Sequence, residues 1–383
     1  MMRISYVCVD PGIPVFGTKG ACVHIQEVVR QFRARGHEVV VHTLRRGKDV
    51  PADLADLQVI EYKIDATDPA EREAAQRRAA ATIAAAVAAE QPDMVYERYS
   101  LFSDVLATLK DQDGKTPTCV LEVNSPLIEE QSAHRVLVNE DVAWSALTRQ
   151  VGAADATICV SEPVARWVRA HADAAERVHV VPNGVNTDRI QPQPEETAGV
   201  VVTFVGTLKP WHGVEDLLEA AALAEESWTL RVLGDGPQRA ALEQRAAELG
   251  ITVDIRGAIA PADMPAHLAG SALAVAPYPA PADSDAHYFS PLKVYEYMAA
   301  GLPVVASAIG QMPDVLAGAG ELVAPSRPDQ LAAAIDKLAT APELRQRLGA
   351  RGRELAVANH SWSGVVERIF ALAGSGEGEM SQP

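Results

Sequence analysis

The chain alternates between two apolar patterns. Short runs rich in Val, Ile and Leu are separated by longer stretches in which apolar residues recur at helical spacing. In the first half Ile4–Val9 reads as a strand. Gly20 to Arg35 reads as a helix with Cys22, Ile25, Val29 and Phe32 on one face and Gly36 as its stop. Glu38–Leu44 is the next predicted strand, and an alanine-rich helix covers 69–90. Met94–Tyr96, Thr118–Val123, Thr157–Val160 and Val178–Val181 are further β-branched runs with helical patterns between them. At 187–199, TDRIQPQPEETAG, prolines and acidic residues appear without an apolar period, which marks a linker. The alternation then restarts, with strands predicted at Val200–Val205, Leu230–Leu233, Thr252–Ile255, Leu273–Ala276, Pro303–Ala306 and Leu322–Val323. Helical pattern fills 328–358, an amphipathic segment runs from Trp362 to Leu372, and GSGEGEMSQP at 374–383 reads as a disordered tail.

Repeated β–α alternation predicts an α/β fold of parallel sheets covered by helices on both faces. Two doubly wound domains are expected, 1–188 and 200–360, joined at 189–199 and facing a central cleft. Ligands of such sheets sit outside the carboxyl ends of the strands, so the residues just after strands are the informative ones.

Composition narrows the classes. The 383 residues suffice for two domains, and 48% hydrophobic with 22% charged residues is a soluble globular balance. The net charge of −17 argues against nucleic acid as a bulk partner and against docking on anionic lipid. An anionic substrate therefore needs a local basic seat. Cys8, Cys22, Cys119 and Cys159 lack metal-ligand or redox spacing and read as buried thiols, which fits a reducing cytoplasm. The start, MMRISYVCVDPG, is too short in apolar residues for a signal peptide, and no window reaches the ~18 apolar residues of a membrane span. No metal-ligating cluster is evident, so neither a metal nor another cofactor is expected.

Four stretches after strands carry candidate chemistry. In DPGIPVFGTKGACVHI, residues 10–25, Gly17 and Gly20 permit a tight turn and close backbone approach, the helix start offers N–H groups to an anion, and Lys19 adds a cation. The spacing matches neither a dinucleotide fingerprint nor a P-loop, and an ordinary strand-to-helix turn is the alternative. In FVGTLKPWHGVEDLLEA, residues 204–220, Gly206, Lys209 and His212 precede a helix; such donors suit a diphosphate, and the alternative is a solvent-exposed lysine beside a capping histidine. VLGDGPQRAALE, residues 232–243, opens like a dinucleotide fingerprint, but Arg239 replaces its third glycine, so the loop is expected to line the cleft. In HYFSPLKVYEYMAAGLPVVAS, residues 287–307, Ser290 is placed to cap a helix and Pro291 to occupy its first position, with Leu292, Tyr295 and Ala299 at helical spacing. The start at Ser290-Pro291-Leu292-Lys293 is a second anion seat. Glu296, about a turn and a half in, is placed for a ribose diol; its alternative is a surface partner for Lys293. YERYS at 96–100 puts Glu97 and Arg98 at another strand end, either facing the cleft or forming a local ion pair.

Taken together, FSPLKVYEYMAAGLPVVAS, VVPNGVNTDRI (180–190), VLGDGPQRAALE and RARGHEVVVHT (33–43) make the chain resemble glycosyltransferase family 4, retaining enzymes of the GT-B fold, over about residues 3 to 372. The resemblance implies a nucleotide-sugar held mostly by the C-terminal domain, Glu296 on the ribose, and backbone around Arg256, Gly257 and Ala258 at the base. It implies diphosphate ligands in the loop 206–213, and Lys19-Gly20 near the phosphates and acceptor. A last helix, 361–373, returns to the first domain. Three departures stand out: the family's phosphate-binding Arg and Lys align with Thr207 and His212, the first glutamate of its paired motif with Tyr288, and a first-domain histidine with Asn124. Lys209 then becomes the main catalytic cation, with Asn124 able to hydrogen-bond a sugar hydroxyl. Glu97, Arg98 and Gly17 are the acceptor-side candidates.

The implied reaction is metal-independent transfer of a sugar, with retention, from a nucleoside diphosphate to a small-molecule or glycan acceptor. Family frequency puts UDP ahead of GDP and ADP, and the acidic chain favours a soluble acceptor. A non-catalytic nucleotide-sugar-binding homologue and a nucleotide-sugar epimerase of the same fold are the rivals.

Overall fold

The computed structural model describes residues 1–112, 116–280 and 287–374; most of the predicted tail lies outside them. The chain forms two compact units. One is Met1–Pro182 together with the segment from Ser363 on, and the other is Asn183–Trp362.

The first unit holds a sheet of β1 (Arg3–Cys8), β2 (Glu38–Thr43), β3 (Gln58–Glu61), β4 (Met94–Arg98), β5 (Thr118–Val123), β6 (Ala156–Cys159) and β7 (Val178–Val180). Its strand order is β3-β2-β1-β4-β5-β6-β7, and every pair is parallel. The central strands are covered on both faces, which is why they read as largely apolar runs. Only β3 lacks a sequence signal. As the edge strand it is mostly half-buried, so Gln58-Val59-Ile60-Glu61 shows no apolar run. The helix Gly20–Ala34 buries Ile25, Val28, Val29 and Phe32 completely. The final helix, Trp362–Leu372, adds to this unit: Phe370 stacks on Phe32 at 5.5 Å, and Arg35 Nη2 donates to the Ser363 carbonyl at 2.7 Å. All four cysteines are buried, and burial pushes the thiols of Cys8, Cys119 and Cys159 up to about 12.

The second unit holds β8 (Val200–Val205), β9 (Trp228–Leu233), β10 (Val253–Ile255), β11 (Leu273–Ala276), β12 (Val304–Ser307) and β13 (Gly320–Val323). The order β10-β9-β8-β11-β12-β13 repeats the parallel doubly wound pattern. An apolar core lies on each face. The expected linker is part of this unit. Glu195 bridges to Gly270, Arg345 clamps the Glu195 carboxylate at 2.6 and 3.1 Å, and Arg353 donates to the carbonyls of Thr187 and Ile190. The unit boundary therefore falls at 182/183, before the polar stretch. The helical pattern over 328–358 is carried by two helices, Pro328–Ala339 and Pro342–Asn359.

Each sheet reverses strand order once, between β1 and β4 and between β8 and β11. Ligands of doubly wound sheets bind beyond the carboxyl ends at that point. No helix among the described residues is long and apolar enough to cross a membrane.

Candidate functional site

At the reversal point of the second sheet, the turn after β8 and the segment after β11 interlock. A Cβ on Gly213 would lie 1.6 Å from the Pro277 carbonyl oxygen, and Gly213 has φ +69°. Only glycine allows that turn to approach the end of β11 so closely. The helix Leu292–Ala299 is pinned over the same point. The Tyr297 hydroxyl accepts from the Val205 N–H at 2.7 Å, and all of Val294, Tyr295, Tyr297, Met298 and Ala299 are buried.

Two details of this helix differ from expectation. Ser290 does not cap it: its hydroxyl accepts from the Asn183 N–H at 3.1 Å and donates to the Tyr295 hydroxyl at 3.2 Å, and the residue is buried. Pro291 precedes the helix as its N-cap residue, and Leu292 is its first residue. Ser290 thus anchors the VPNG segment, a partner 107 positions away that local spacing could not reveal. The helix keeps an N-terminus without acidic residues in its first turn. The helix Val214–Leu223, the other expected anion seat, carries Glu215 and Asp216 in its first turn, which screen its positive end.

Lys293 is not a surface partner of Glu296. Its ammonium lies over the rings of Phe204 (4.3 Å) and Tyr278 (5.1 Å), and Nζ is buried without a hydrogen-bond partner among the described residues. Burial lowers its pKa to about 7, against the pull of Glu296. A Cβ on Gly206 would lie 2.8 Å from Nζ and 3.3 Å from His212 Nδ1, so the glycine, at φ +150°, makes room for both side chains. His212 is neutral: burial, then Lys293 and Lys209, hold its pKa down to about 4 despite its backbone bond. Because a carbonyl only accepts, its Nδ1–H donates to Thr207 O at 2.5 Å, which leaves Nε2 an acceptor and no proton for a phosphate. Lys209 sits with its ammonium 4.5 Å over the exposed ring of Trp211.

The Gly234-Asp235-Gly236 loop serves packing. A Cβ on Gly234 would lie 1.8 Å from Gly206 O and one on Gly236 2.5 Å from Leu208 O, while Leu208 N–H donates to Asp235 O at 3.0 Å. These glycines let the two loops nest, and Arg239 is tied to Asp235 and Glu243. Arg256 extends the ladder through its N–H to Val232 O and pairs with Asp254 at 2.8 Å. Gly257, at φ +77°, bridges Gly234, and Ala258 is exposed beside it. Tyr288 is half-buried.

In the first unit, Lys19 and Gly20 are exposed at the start of the helix Gly20–Ala34, where no side chain caps the N-terminus. Gly17 is buried; its carbonyl and that of Val15 accept from Gln26 Nε2 at 3.0 and 2.9 Å. Glu97 and Arg98 occupy opposite faces of β4 and do not pair with each other. Glu97 is 0% exposed, with its oxygens taken by Ser103 Oγ and Gln150 Nε2, and burial raises its pKa to about 7. It is enclosed and presents no face to an acceptor. Arg98 is buried too, donating to Glu122 Oε1 at 2.9 Å and to His24 Nδ1 at 3.1 Å. Burial alone would raise the Glu122 pKa; the Arg98 guanidinium and the donors of Tyr96 and Asn124 hold it below the usual range. His24 is held neutral, near 4, chiefly by burial. Asn124 donates its amide to Glu122 Oε1, which fixes the side chain at the strand end with its oxygen still an acceptor. His24 and Glu122 escaped the sequence reading. A glutamate inside TCVLEV, a strand buried on both faces, was the available signal, because such a charge needs an ionic partner. Among the described residues no group of three or more His, Cys, Asp or Glu is arranged to hold a metal ion.

Comparison with known proteins shows which family and fold the chain shares. The family described as "Glycosyltransferase Family 4" matches residues 18–189, and "Glycosyl transferases group 1" matches 199–341. An MMP alpha-(1->4)-mannosyltransferase of Mycolicibacterium hassiacum is 33% identical over 204 residues, 51% of this chain and 48% of the relative. A GDP-mannose-dependent alpha-(1-6)-phosphatidylinositol monomannoside mannosyltransferase of Mycolicibacterium smegmatis is 28% identical over 68% of this chain and 75% of its own length. This chain thus spans about half of the first of these relatives. Among solved structures, sucrose-phosphate synthase from Thermosynechococcus elongatus superposes with TM-score 0.75 at 21% identity, covering 97% of this chain and 98% of that one. Anabaena HepE, in complex with UDP and glucose, superposes with TM-score 0.74 at 18% identity, covering 98% and 100%. At these identities the superpositions establish the fold: two Rossmann-like parallel-sheet units, as in GT-B proteins.

Proposed function

The chain belongs to glycosyltransferase family 4, the glycosyl transferases group 1, and from that premise we propose that it transfers a sugar from a nucleoside diphosphate to an acceptor. The observation that carries the reading is the interlock at the reversal point of the second sheet. There the turn after β8 and an eight-residue helix without first-turn acids enclose one buried ammonium, with Glu296 three residues further along. Three residues of helix rise about 4.5 Å, so a diphosphate at the helix start leaves its ribose within reach of Glu296. Gly206, Thr207, His212, Tyr288, Ser290, Pro291 and Leu292 border the diphosphate, His212 and Ser290 by shaping the seat. Arg256, Gly257 and Ala258 border the base.

Charge grows on the leaving diphosphate as the glycosidic bond breaks, and donors already in position are what lower that barrier. The helix start and the lysines supply them, so the reading needs no metal. Activity retained in excess chelator supports this, and its loss counts against it. Retention by front-face substitution fits, with a departing phosphate oxygen taking the acceptor proton, since Glu97 is enclosed and Glu122 is bound by Arg98. Asn124 is assigned to a sugar hydroxyl, and Lys19-Gly20 and Gly17 to the approach of phosphate and acceptor. For the nucleotide we put forward UDP. The mannosyltransferase relative named for GDP-mannose makes GDP the competing choice. For the acceptor we put forward a soluble small molecule or glycan.

Thermal shift of the purified protein against UDP-, GDP- and ADP-sugars tests donor use, followed by transfer assays with the donor that stabilises it. Glu296→Ala is expected to raise KM for donor much more than it lowers kcat. Unchanged donor affinity would remove Glu296 from the ribose. One observation favours a second reading, a donor-binding homologue without catalysis: His212 has no proton to give where the family carries a lysine. Tight donor binding with neither hydrolysis nor transfer would select it.

A further inference from the structure

We propose that the Lys293 side chain is the primary cation for the donor's diphosphate. The inference rests on the glycosyltransferase reading above and moves the positive charge from the loop after β8 to the helix Leu292–Ala299. Three observations of geometry carry it. First, the ammonium has been taken out of water and given no hydrogen-bond acceptor among the described residues. A buried amine keeps such a position at a penalty, and a structural lysine would find a carboxylate or carbonyl. Second, its surroundings are aromatic faces, Phe204 at 4.3 Å and Tyr278 at 5.1 Å, which hold a cation by its electrostatic attraction to the rings while leaving its N–H groups unspent. Third, the backbone has been cleared for it: at Gly206 a Cβ would lie 2.8 Å from Nζ. A side chain at position 206 would therefore crowd the ammonium where it now lies.

The same geometry accounts for two residues that looked like losses. Thr207 and His212 stand where the family's resemblance places an arginine and a lysine. His212 is spent on Thr207 O, and Lys209 lies on the Trp211 ring. A single lysine arriving from the other side of the interlock restores the missing positive charge at the Gly206 backbone. The titratable groups facing it are His212 from the turn after β8, Tyr278 from the segment after β11, and Glu296 on its own helix. His212 is neutral, so Glu296 is the only anion among these named groups. With a pKa of about 7 the amine is partly neutral in the empty site, and an incoming diphosphate favours its charged form.

Isothermal titration calorimetry with UDP and GDP, at pH 6 to 9 and in buffers of different ionisation enthalpy, tests the idea. At pH 8, where the diphosphate is fully ionised, the wild type is expected to take up most of one proton per ligand bound. Its affinity should fall by up to about tenfold per pH unit above 7. Lys293→Gln is expected to lose at least tenfold in affinity at pH 7 and to lose the proton uptake. Lys293→Arg should recover part of the affinity without proton uptake, because a guanidinium stays charged. Gly206→Ala should weaken binding by displacing the amine, and His212→Gln should leave the proton uptake intact. Lys293→Gln binding UDP and GDP within twofold of the wild type, with the same proton uptake, overturns this inference and leaves the glycosyltransferase reading standing. Wild-type protein that binds no nucleoside diphosphate overturns both.

Discussion

Lys293 and Arg98 are both buried cations, and they differ in what they meet. Arg98 finds a carboxylate and a histidine nitrogen; Lys293 finds two rings. The difference predicts opposite stability effects. Removing one partner of a buried ion pair costs about 3–5 kcal/mol, because the other charge is left alone. Arg98→Met should therefore lower the unfolding free energy in urea by that order, and adding Glu122→Leu should recover most of the loss. Lys293→Met should do the reverse and stabilise the ligand-free protein. Between pH 7 and 10.5 the unfolded chain holds a proton on this amine that the folded one lacks, so stability falls as pH drops through that window and is lowest below it. Replacement removes that dependence. For a unit of this size each kcal/mol recovered at neutral pH raises Tm by about 2–4 °C, and a lower Tm for Lys293→Met would contradict the assignment. At this scale the sequence displayed the cast but not the casting. Ser290, Lys293 and Glu296 are visible in one short run. That Ser290 bonds Asn183, and that Lys293 rather than Lys209 is enclosed, depends on segments 80 to 110 positions away, which no local spacing encodes.

Among elements, strands covered on both faces were legible because burial makes most of their positions apolar, Glu122 being an exception; Thr118–Val123, Val200–Val205 and Leu273–Ala276 fall where the sequence puts them. The edge strand β3 was not; the helical pattern over 328–358 is carried by two helices, which part before Pro342. The loops after strands were legible as places of interest but not in their purpose. Gly234 looks like a nucleotide-binding glycine, and what it meets is the Gly206 carbonyl, 1.8 Å from where its Cβ would be. Gly234→Ala must push the two loops apart, an overpacking penalty of about 1–3 kcal/mol. Because the displaced strand end carries Gly206, donor affinity should drop together with the urea midpoint. A variant that loses stability while binding donor normally would separate the loop packing from the site.

For the molecule as a whole, two similar α/β units were readable from alternation alone, while their boundary was not. Polar composition made 187–199 look like a free connection, whereas Arg345 and Arg353 hold it to the second unit. The final helix crosses that boundary in the chain and completes the first unit with Val365, Val366, Ile369 and Phe370, all buried. Burying such side chains stabilises by about 1.5–3 kcal/mol each, so together they approach the 5–15 kcal/mol that holds a typical domain folded. Ending the chain after Trp362 should leave 183–362 protected in hydrogen exchange and expose the amides of Gly20–Ala34. Protection of both units in that truncated chain would show the helix to be dispensable.

This threading also has a consequence for birth order. A ribosome makes the chain from its amino end, and domains made first are generally folded first. Here the first unit is incomplete, with Phe370 missing from the face of Phe32, until the last dozen described residues have left the ribosome. The unit begun first is therefore completed only by the residues made last, and it gains no head start over the second.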